Sequence, residues 1–149
     1  MNDFIYFWVY SPLATAIIGW FVAQLIKVIL VLIEDRKLDF GRFVGSGGMP
    51  SSHSSLVTAL ATAVCITEGY SSTLFAITVV FALVVMYDAA GVRRAAGQQA
   101  KILNKIVEDW GKATYSDTEK KLKELLGHTP KEVFVGALLG IAIGIVRHI

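Results

Sequence analysis

The sequence predicts an all-α integral membrane protein with about four transmembrane helices and one or two cytoplasmic amphipathic helices. Of its 149 residues, 54% are hydrophobic and only 17% are charged, a low share for a small soluble protein with a large surface to cover. The charged residues cluster in two stretches, 34–42 and 93–131, and long apolar runs lie outside them. Because a helix that crosses a bilayer needs about 20 mostly apolar residues, these runs predict membrane spans within one domain, residues 1–149.

Four apolar runs are interpreted, in chain order, as membrane spans. The first, 12–33, and the third, 72–90, reach a spanning length directly, whereas the second, 51–69, and the fourth, 131–149, do so only with weakly polar flanks. No amphipathic stripe interrupts these runs, which argues against the core helices of a soluble protein. The residues before the first run lack a basic segment and a small-residue cleavage site, so a cleavable signal peptide is not expected.

The distribution of lysine and arginine predicts how the chain is oriented. Segments 34–50 and 91–130 carry nearly all the positive charge that lies between spans, whereas the opposite side of the bilayer receives only Arg147. The positive-inside rule therefore places both segments in the cytoplasm and both termini outside. We expect an inner or plasma membrane protein whose cytoplasmic side is strongly basic.

The cytoplasmic segment 91–130 is predicted to form two helices. The first carries a stripe of apolar side chains that includes Ile102 and Ile106, with basic residues among them. The second begins at Ser116, and Glu119 three residues later completes a capping box. Because both helices are amphipathic and basic, they are suited either to the membrane surface or to packing against the bundle.

A glycine-rich segment that opens the second span is the first candidate for chemistry. Gly48 lies in a run of small residues, and Ser51, Ser52 and His53 follow where the helix begins. Backbone N–H groups and the helix dipole make such an end suitable for phosphate, serine hydroxyls can donate to phosphate oxygens, and histidine can transfer a proton. The alternative is an ordinary loop and N-cap with a histidine at the interface.

Several cations and polar groups near the same side of the membrane are further candidates. Arg93 and Arg94 match phosphate oxygens in geometry, although positive-inside residues look the same in sequence. Asp88 lies shortly before them and can pair with one of them. Lys27 lies within the first span and either extends to the interface or meets an anion there. Asn104, on the helix after the arginines, can bind a head group or remain solvated.

The third candidate for chemistry is the pair His128 and Glu132, four residues apart at the start of the fourth span. On one helical turn the carboxylate reaches the imidazole and orients it, although an ordinary helix start with an incidental histidine has the same sequence. By topology, this pair, His53 and the cations converge at one membrane face. No cysteine cluster, carboxylate-rich metal site or nucleotide-binding glycine pattern is present, so neither a metal nor a cofactor is expected.

At these residues the chain resembles a known family. Segments 47–54, 88–104 and 125–130 resemble the divergent phosphatidic-acid-phosphatase family, the bacterial YuiD-like group related to acid phosphatases and vanadium-dependent haloperoxidases. Segment 50–53 is similar to the Pro-Ser-Gly-His motif of the superfamily, with serine in place of glycine. Segment 128–132 is similar to the end of its third motif, with glutamate in place of aspartate.

The resemblance implies a role for each of these residues. His128 would be the nucleophile that forms a phosphohistidine, Glu132 its orienter and His53 the general acid. The arginine of the third motif would fall at Leu122, and Lys27 or Arg42 is the candidate for the cation of the first motif.

The expected function is a metal-independent membrane phosphatase that acts at the cytoplasmic face through the phosphohistidine. Its substrate would be a lipid phosphate, such as phosphatidylglycerophosphate or phosphatidic acid, or an isoprenoid diphosphate. The residues expected to bind phosphate are Lys27, Ser51, Ser52, Arg93 and Arg94, and those expected to support the site are Gly48, Asp88 and Asn104. A membrane lipid is the expected partner, nucleic acid is not, and a homo-oligomer is left open. The alternatives are a non-catalytic protein that binds anionic lipid or serves as a scaffold, and a transporter.

Overall fold

The structure, a computed structural model, describes residues 2–35, 48–111 and 127–149, and these residues form α-helices without any strand. The helices are α1 (Asp3–Tyr10), α2 (Pro12–Asp35), α3 (Ser52–Glu68), α4 (Thr73–Ala90), α5 (Val92–Gly111) and α6 (Pro130–His148). For these residues the prediction of an all-α chain is confirmed. The predicted helix from Ser116, and the positions of Arg42 and Leu122, lie outside the described residues.

Side-chain caps set where three of the helices begin. Ser51 accepts a hydrogen bond from the backbone N–H of Ser54 (3.4 Å) at the start of α3, and Ser72 accepts one from Phe75 (3.1 Å) at the start of α4. Thr129 forms the capping box that opens α6. These caps satisfy backbone N–H groups that the first helical turn leaves without partners, so serine and threonine mark the helix starts.

Helix α1 is an element that the sequence analysis did not predict. It is short and aromatic, and Trp8 packs edge-on against both Phe4 and Phe7. The chain leaves the helical conformation at Ser11, and α2 then begins with Pro12 at its first position, where a missing N–H is tolerated. Such an aromatic segment before an apolar helix is typical of a membrane–water interface.

The helices bury small side chains and expose large apolar ones, the reverse of what the core of a soluble protein does. Helix α3 packs against α2, α4 and α6, and the buried positions hold mainly alanine, glycine, serine and threonine, with valine as the largest buried apolar residue. The large apolar side chains of α2, α4 and α6 are exposed instead, among them Phe21, Ile29, Phe81, Val84, Phe134 and Leu138. Lipid tails are as apolar as leucine, so helices in a bilayer associate through small residues and leave large ones outside. This arrangement supports a membrane location.

Three glycines of α6 make the closest helix contact. Gly136, Gly140 and Gly144 are all buried and recur every fourth residue, so they form one stripe along α6, here called the glycine stripe. A Cβ atom at Gly140 would lie 2.1 Å from Thr58 Oγ1 and 2.3 Å from the carbonyl oxygen of Ser55. The two helices therefore approach each other more closely than any larger residue on α6 would permit.

Polar contacts join the helices at the end of the bundle where α1 lies. Arg147 donates from Nε to Thr15 Oγ1 (3.2 Å) and from its guanidinium to the backbone carbonyls of Trp8 and Val9. His148 Nε2 lies 2.9 Å from the same threonine oxygen. The last turn of α6 is thereby tied to α1 and to the start of α2.

Two helical stretches among the described residues are long and apolar enough to cross a membrane. One is Pro12–Ile33, with 22 residues, and the other is Thr73–Ile106, with 34 residues, which joins α4 to most of α5. Helices α3 and α6 occupy the ranges predicted for the second and fourth spans. Their crossing, and thus the total of four spans, stays a prediction.

Candidate functional site

The candidate site lies where the starts of α3 and α6 meet the ends of α2 and α4. The backbone N–H of Ser51 donates to the carbonyl oxygen of Glu132 (3.0 Å), and the N–H of His128 donates to the carbonyl oxygen of Ala89 (3.1 Å). A Cβ atom at Gly136 would lie 2.3 Å from the Ser51 carbonyl oxygen, so the two helix starts are in close contact. The N-termini of α3 and α6, with their exposed partial positive charge, therefore lie side by side.

His128 and Glu132 form the predicted pair. The Nδ1 atom of His128 lies 3.0 Å from Oε2 of Glu132, and the two side chains are 3% and 20% exposed. A carboxylate only accepts hydrogen bonds, so Nδ1 carries the hydrogen and donates it. In the neutral ring the lone pair is then on Nε2, the nitrogen that a nucleophilic histidine would use.

The capping box of α6 fixes the glutamate in this pair. Thr129 Oγ1 accepts from the backbone N–H of Glu132 (3.4 Å), and the backbone N–H of Thr129 donates to Glu132 Oε2 (3.2 Å). The same carboxylate oxygen thus receives His128 and caps the helix. Residues 128 and 132 face each other because the chain turns into α6 at Thr129 and Pro130, one residue after the histidine.

His53 is the second histidine of the site. It lies in the first turn of α3, is exposed, and its ring centroid is 6.2 Å from that of His128, with the ring planes inclined by 61°. Because 75 residues separate the two in sequence, the contact depends on the packing of α3 against α6. The structure therefore brings together the two histidines that the sequence analysis selected.

Lys27 reaches the site from α2 and remains inside the bundle. Its Nζ donates to the hydroxyl oxygen of Ser52 (3.3 Å), and the residue is only 5% exposed. The Glu132 carboxylate is close enough to interact with it electrostatically. The structure thus keeps Lys27 inside the bundle beside Ser52, and its role in binding an anion stays a prediction.

The two serines at the start of α3, Ser51 and Ser52, have different hydrogen-bond partners. Ser51 is fully buried and its hydroxyl oxygen accepts from the N–H and, at 3.0 Å, from the hydroxyl of Ser54, so it caps the helix. Ser52, also buried, accepts from Lys27 and is the serine linked to the cation. Gly48 has a φ of +84°, a left-handed conformation that favours glycine and turns the chain into this segment.

A comparison with known protein families shows which family has this arrangement of residues. Residues 9–143 match the family described as the divergent PAP2 family, and they include every site residue named above. The chain belongs to this family. A membrane protein of Bacillus subtilis (strain 168), described as "Uncharacterized membrane protein YuiD", is 47% identical over 145 residues, which cover 91% of this chain and 92% of the relative. No solved structure matches the chain.

In this divergent PAP2 protein, the other predicted residues lie on the α4–α5 segment. Asp88 is partly exposed in the last turn of α4, next to the Ala89 carbonyl that binds His128. Arg94 is exposed and Asn104 is partly exposed on α5. Arg93 lies on α5 as well, but its side chain lies outside the described part of the structure. Their contribution to phosphate binding stays a prediction.

Sequence reasoning missed two supports of this divergent PAP2 site. The first is Thr129, whose capping box holds Glu132, although Thr-Pro-Lys-Glu follows the sequence pattern for such a box. The second is Gly136, which lets α6 approach Ser51 and begins a Gly-x-x-x-Gly-x-x-x-Gly pattern known to mark close helix contacts in membranes.

Proposed function

We propose that this protein is a metal-independent membrane phosphatase that hydrolyses a lipid phosphate or an isoprenoid diphosphate at the cytoplasmic face through a phosphohistidine. The observation that carries the proposal is the His128–Glu132 pair with the ring of His53 6.2 Å from that of His128. The residues that we propose as nucleophile, orienter and general acid thus lie beside two helix N-termini, which are suited to bind phosphate.

The reaction would proceed in two displacements. Nε2 of His128, with Nδ1 held by Glu132, attacks the phosphorus atom; the N–P bond forms and the bond from phosphorus to the leaving oxygen breaks. His53 in its protonated form gives its proton to that oxygen. A water molecule then gives a proton to His53 and attacks the phosphohistidine, so that a new O–P bond forms, the N–P bond breaks and inorganic phosphate leaves.

Positive groups at this position would stabilise the charge on the phosphoryl oxygens. Lys27 and the hydroxyl of Ser52 lie beside the first turn of α3, and the backbone N–H groups of α3 and α6 add their partial charges. Arg93 and Arg94 are the further cations that the sequence predicts. Such positioned charge is the main source of rate in phosphoryl transfer, which needs little covalent chemistry from the protein.

The experiment measures phosphate release by the purified protein in detergent with excess chelator. Its substrates are phosphatidylglycerophosphate, phosphatidic acid and isoprenyl diphosphates. His53→Ala and His128→Ala are the test variants, and His148→Ala, at the opposite end of the bundle, is the matched control. We expect release that resists the chelator, is lost in both test variants and is kept in the control. Unchanged release in both test variants refutes the proposal.

One observation favours a second function, a non-catalytic protein that binds anionic lipid. His128 is only 3% exposed, so the ring that would attack phosphorus is covered in this conformation. A lipid-binding protein needs the cations and helix N-termini but no accessible nucleophile. It predicts phosphate-lipid binding that survives both histidine substitutions, with no release from folded protein on any substrate.

A further inference from the structure

Helix α5 carries an apolar face that the described part of the chain leaves exposed. Ile102, Leu103 and Ile106 are 60%, 49% and 42% exposed, in a helix that packs mainly against α4. Positions 102 and 106, and positions 103 and 106, are neighbours on the same side of a helix. An apolar face of this kind in water would have a free-energy cost, so it indicates a partner.

A second face of α5 is basic. Arg94, Lys101 and Lys105 are exposed and spaced by seven and four residues, so they lie along one side of the helix. At about 100° per residue, the centre of that side is turned about 180° from Leu103, about 120° from Ile106 and about 80° from Ile102. The helix therefore presents separate apolar and cationic sides, the pattern of helices that lie in the plane of a membrane interface.

The geometry of the α4–α5 segment excludes a single continuous span. Its 34 residues from Thr73 to Ile106 would reach about 51 Å as one helix, whereas the hydrocarbon core is about 30 Å thick. Helix α4 ends at Ala90 with Gly91 as its C-cap, and the basic residues come only after it. Because charged side chains are expelled from the hydrocarbon, the chain leaves the bilayer core near Gly91 and α5 continues outside it.

We propose that α5 binds an anionic bilayer surface, with Ile102, Leu103 and Ile106 in the acyl boundary and its basic side toward lipid phosphates. The occupant of the exposed apolar face is thus lipid, and the charge of α5 selects anionic head groups. Each basic residue close to an anionic surface strengthens binding by about fivefold. This proposal does not depend on catalysis, and it brings anionic lipid to the end of α4 that contacts His128.

The test places probes on the two sides of α5 in the full chain. Cys65, the single cysteine, is replaced by serine, and an environment-sensitive fluorophore is attached to Ile102→Cys or, as the matched control, to Asn104→Cys, an uncharged position about 160° around the helix from position 102. The proteins are reconstituted in vesicles of phosphatidylglycerol and phosphatidylcholine, or of phosphatidylcholine alone. We expect the probe at position 102 to be shielded from a water-soluble quencher in anionic vesicles, and the probe at position 104 to be quenched.

Lipid composition and charge then separate lipid from other partners. In the Lys101→Gln, Lys105→Gln double variant, or in phosphatidylcholine alone, quenching of the probe at position 102 should rise severalfold. Equal quenching at positions 102 and 104 in anionic vesicles overturns the proposal. So does shielding at position 102 that is the same in every lipid and in detergent, because it indicates protein rather than lipid over this face. Energy transfer between probes on two chains would identify that protein as a second copy.

Discussion

Replacing Gly136 with alanine tests the close contact between the two helix starts that carry the histidines. The new Cβ atom would lie 2.3 Å from the Ser51 carbonyl oxygen and 3.0 Å from its nitrogen, both backbone atoms that no rotamer change can move. An ordinary contact is longer by about 1 Å, so α6 and α3 must separate by about that distance. Overpacking of this kind costs about 1–3 kcal/mol, against which alanine gains about 1 kcal/mol in helix propensity. Because the two atoms belong to the backbone and cannot move aside, the upper end of that cost applies, and we expect a net loss of about 2 kcal/mol.

The matched control is Gly144→Ala, two turns further along the same stripe. There the nearest atom is the Thr62 Cβ, at 2.6 Å, and the nearest backbone oxygen lies at 3.3 Å, so the overlap is milder than at Gly136 and a smaller loss is expected. Unfolding in mixed detergent micelles, followed by circular dichroism as the denaturing detergent increases, gives both free energies. A Gly136→Ala protein at least as stable as the wild type would refute the reasoning.

The same substitution should also affect phosphate release if the proposed function holds. A displacement of about 1 Å at a reacting group lowers a rate by about 100-fold. The variant should therefore lose far more activity than stability, measured in conditions where it remains folded. Full activity in Gly136→Ala would show that the distance between the helix starts does not matter for the reaction.

Two further predictions concern the charged groups of the site. Glu132→Gln keeps the shape of the side chain but can present an N–H to His128 and favour the wrong tautomer, so release should fall by up to about 10⁴-fold while the protein stays folded; a loss below tenfold would contradict the orienting role. Lys27→Met replaces the buried cation with an apolar side chain of similar length, and release should fall by about 100-fold or more. Binding of phosphatidic acid vesicles should weaken in parallel, and unchanged binding would exclude Lys27 from the phosphate site.

The parts of the site that could be predicted are those set by local spacing. His128 and Glu132 are four residues apart, so the sequence placed them within reach of each other, although the contact is made across the N-cap at Thr129, with His128 outside α6, and not along one helical turn. Lys27 was recognisable because a lysine in an apolar run requires an explanation. Its hydrogen-bond partner, Ser52, could not be named, because it depends on how α2 and α3 rotate against each other.

The fold, too, could be predicted only where local sequence signals determine it. Apolar runs located α2 and α4 because hydrophobic length is a strong signal, and serine caps located the start of α3. Helix α1 was missed because eight aromatic and apolar residues are too few for a span and show no clear period. The distance between His53 and His128 could not be predicted, because it depends on the contact that the glycine stripe makes with α3. In the sequence, the glycine spacing indicates a close helix contact but not which helix makes it.

The glycine stripe has a mechanical consequence for the site. Its members repeat every four residues and face the small residues of α3, so the two helices mesh in discrete steps rather than sliding freely. The smallest such step, four residues, is about 6 Å, which is comparable with the 6.2 Å between the histidine rings. The backbone hydrogen bond from Ser51 to Glu132 identifies the alignment that the two helices adopt. Only one alignment of α3 against α6 therefore brings His53 opposite His128.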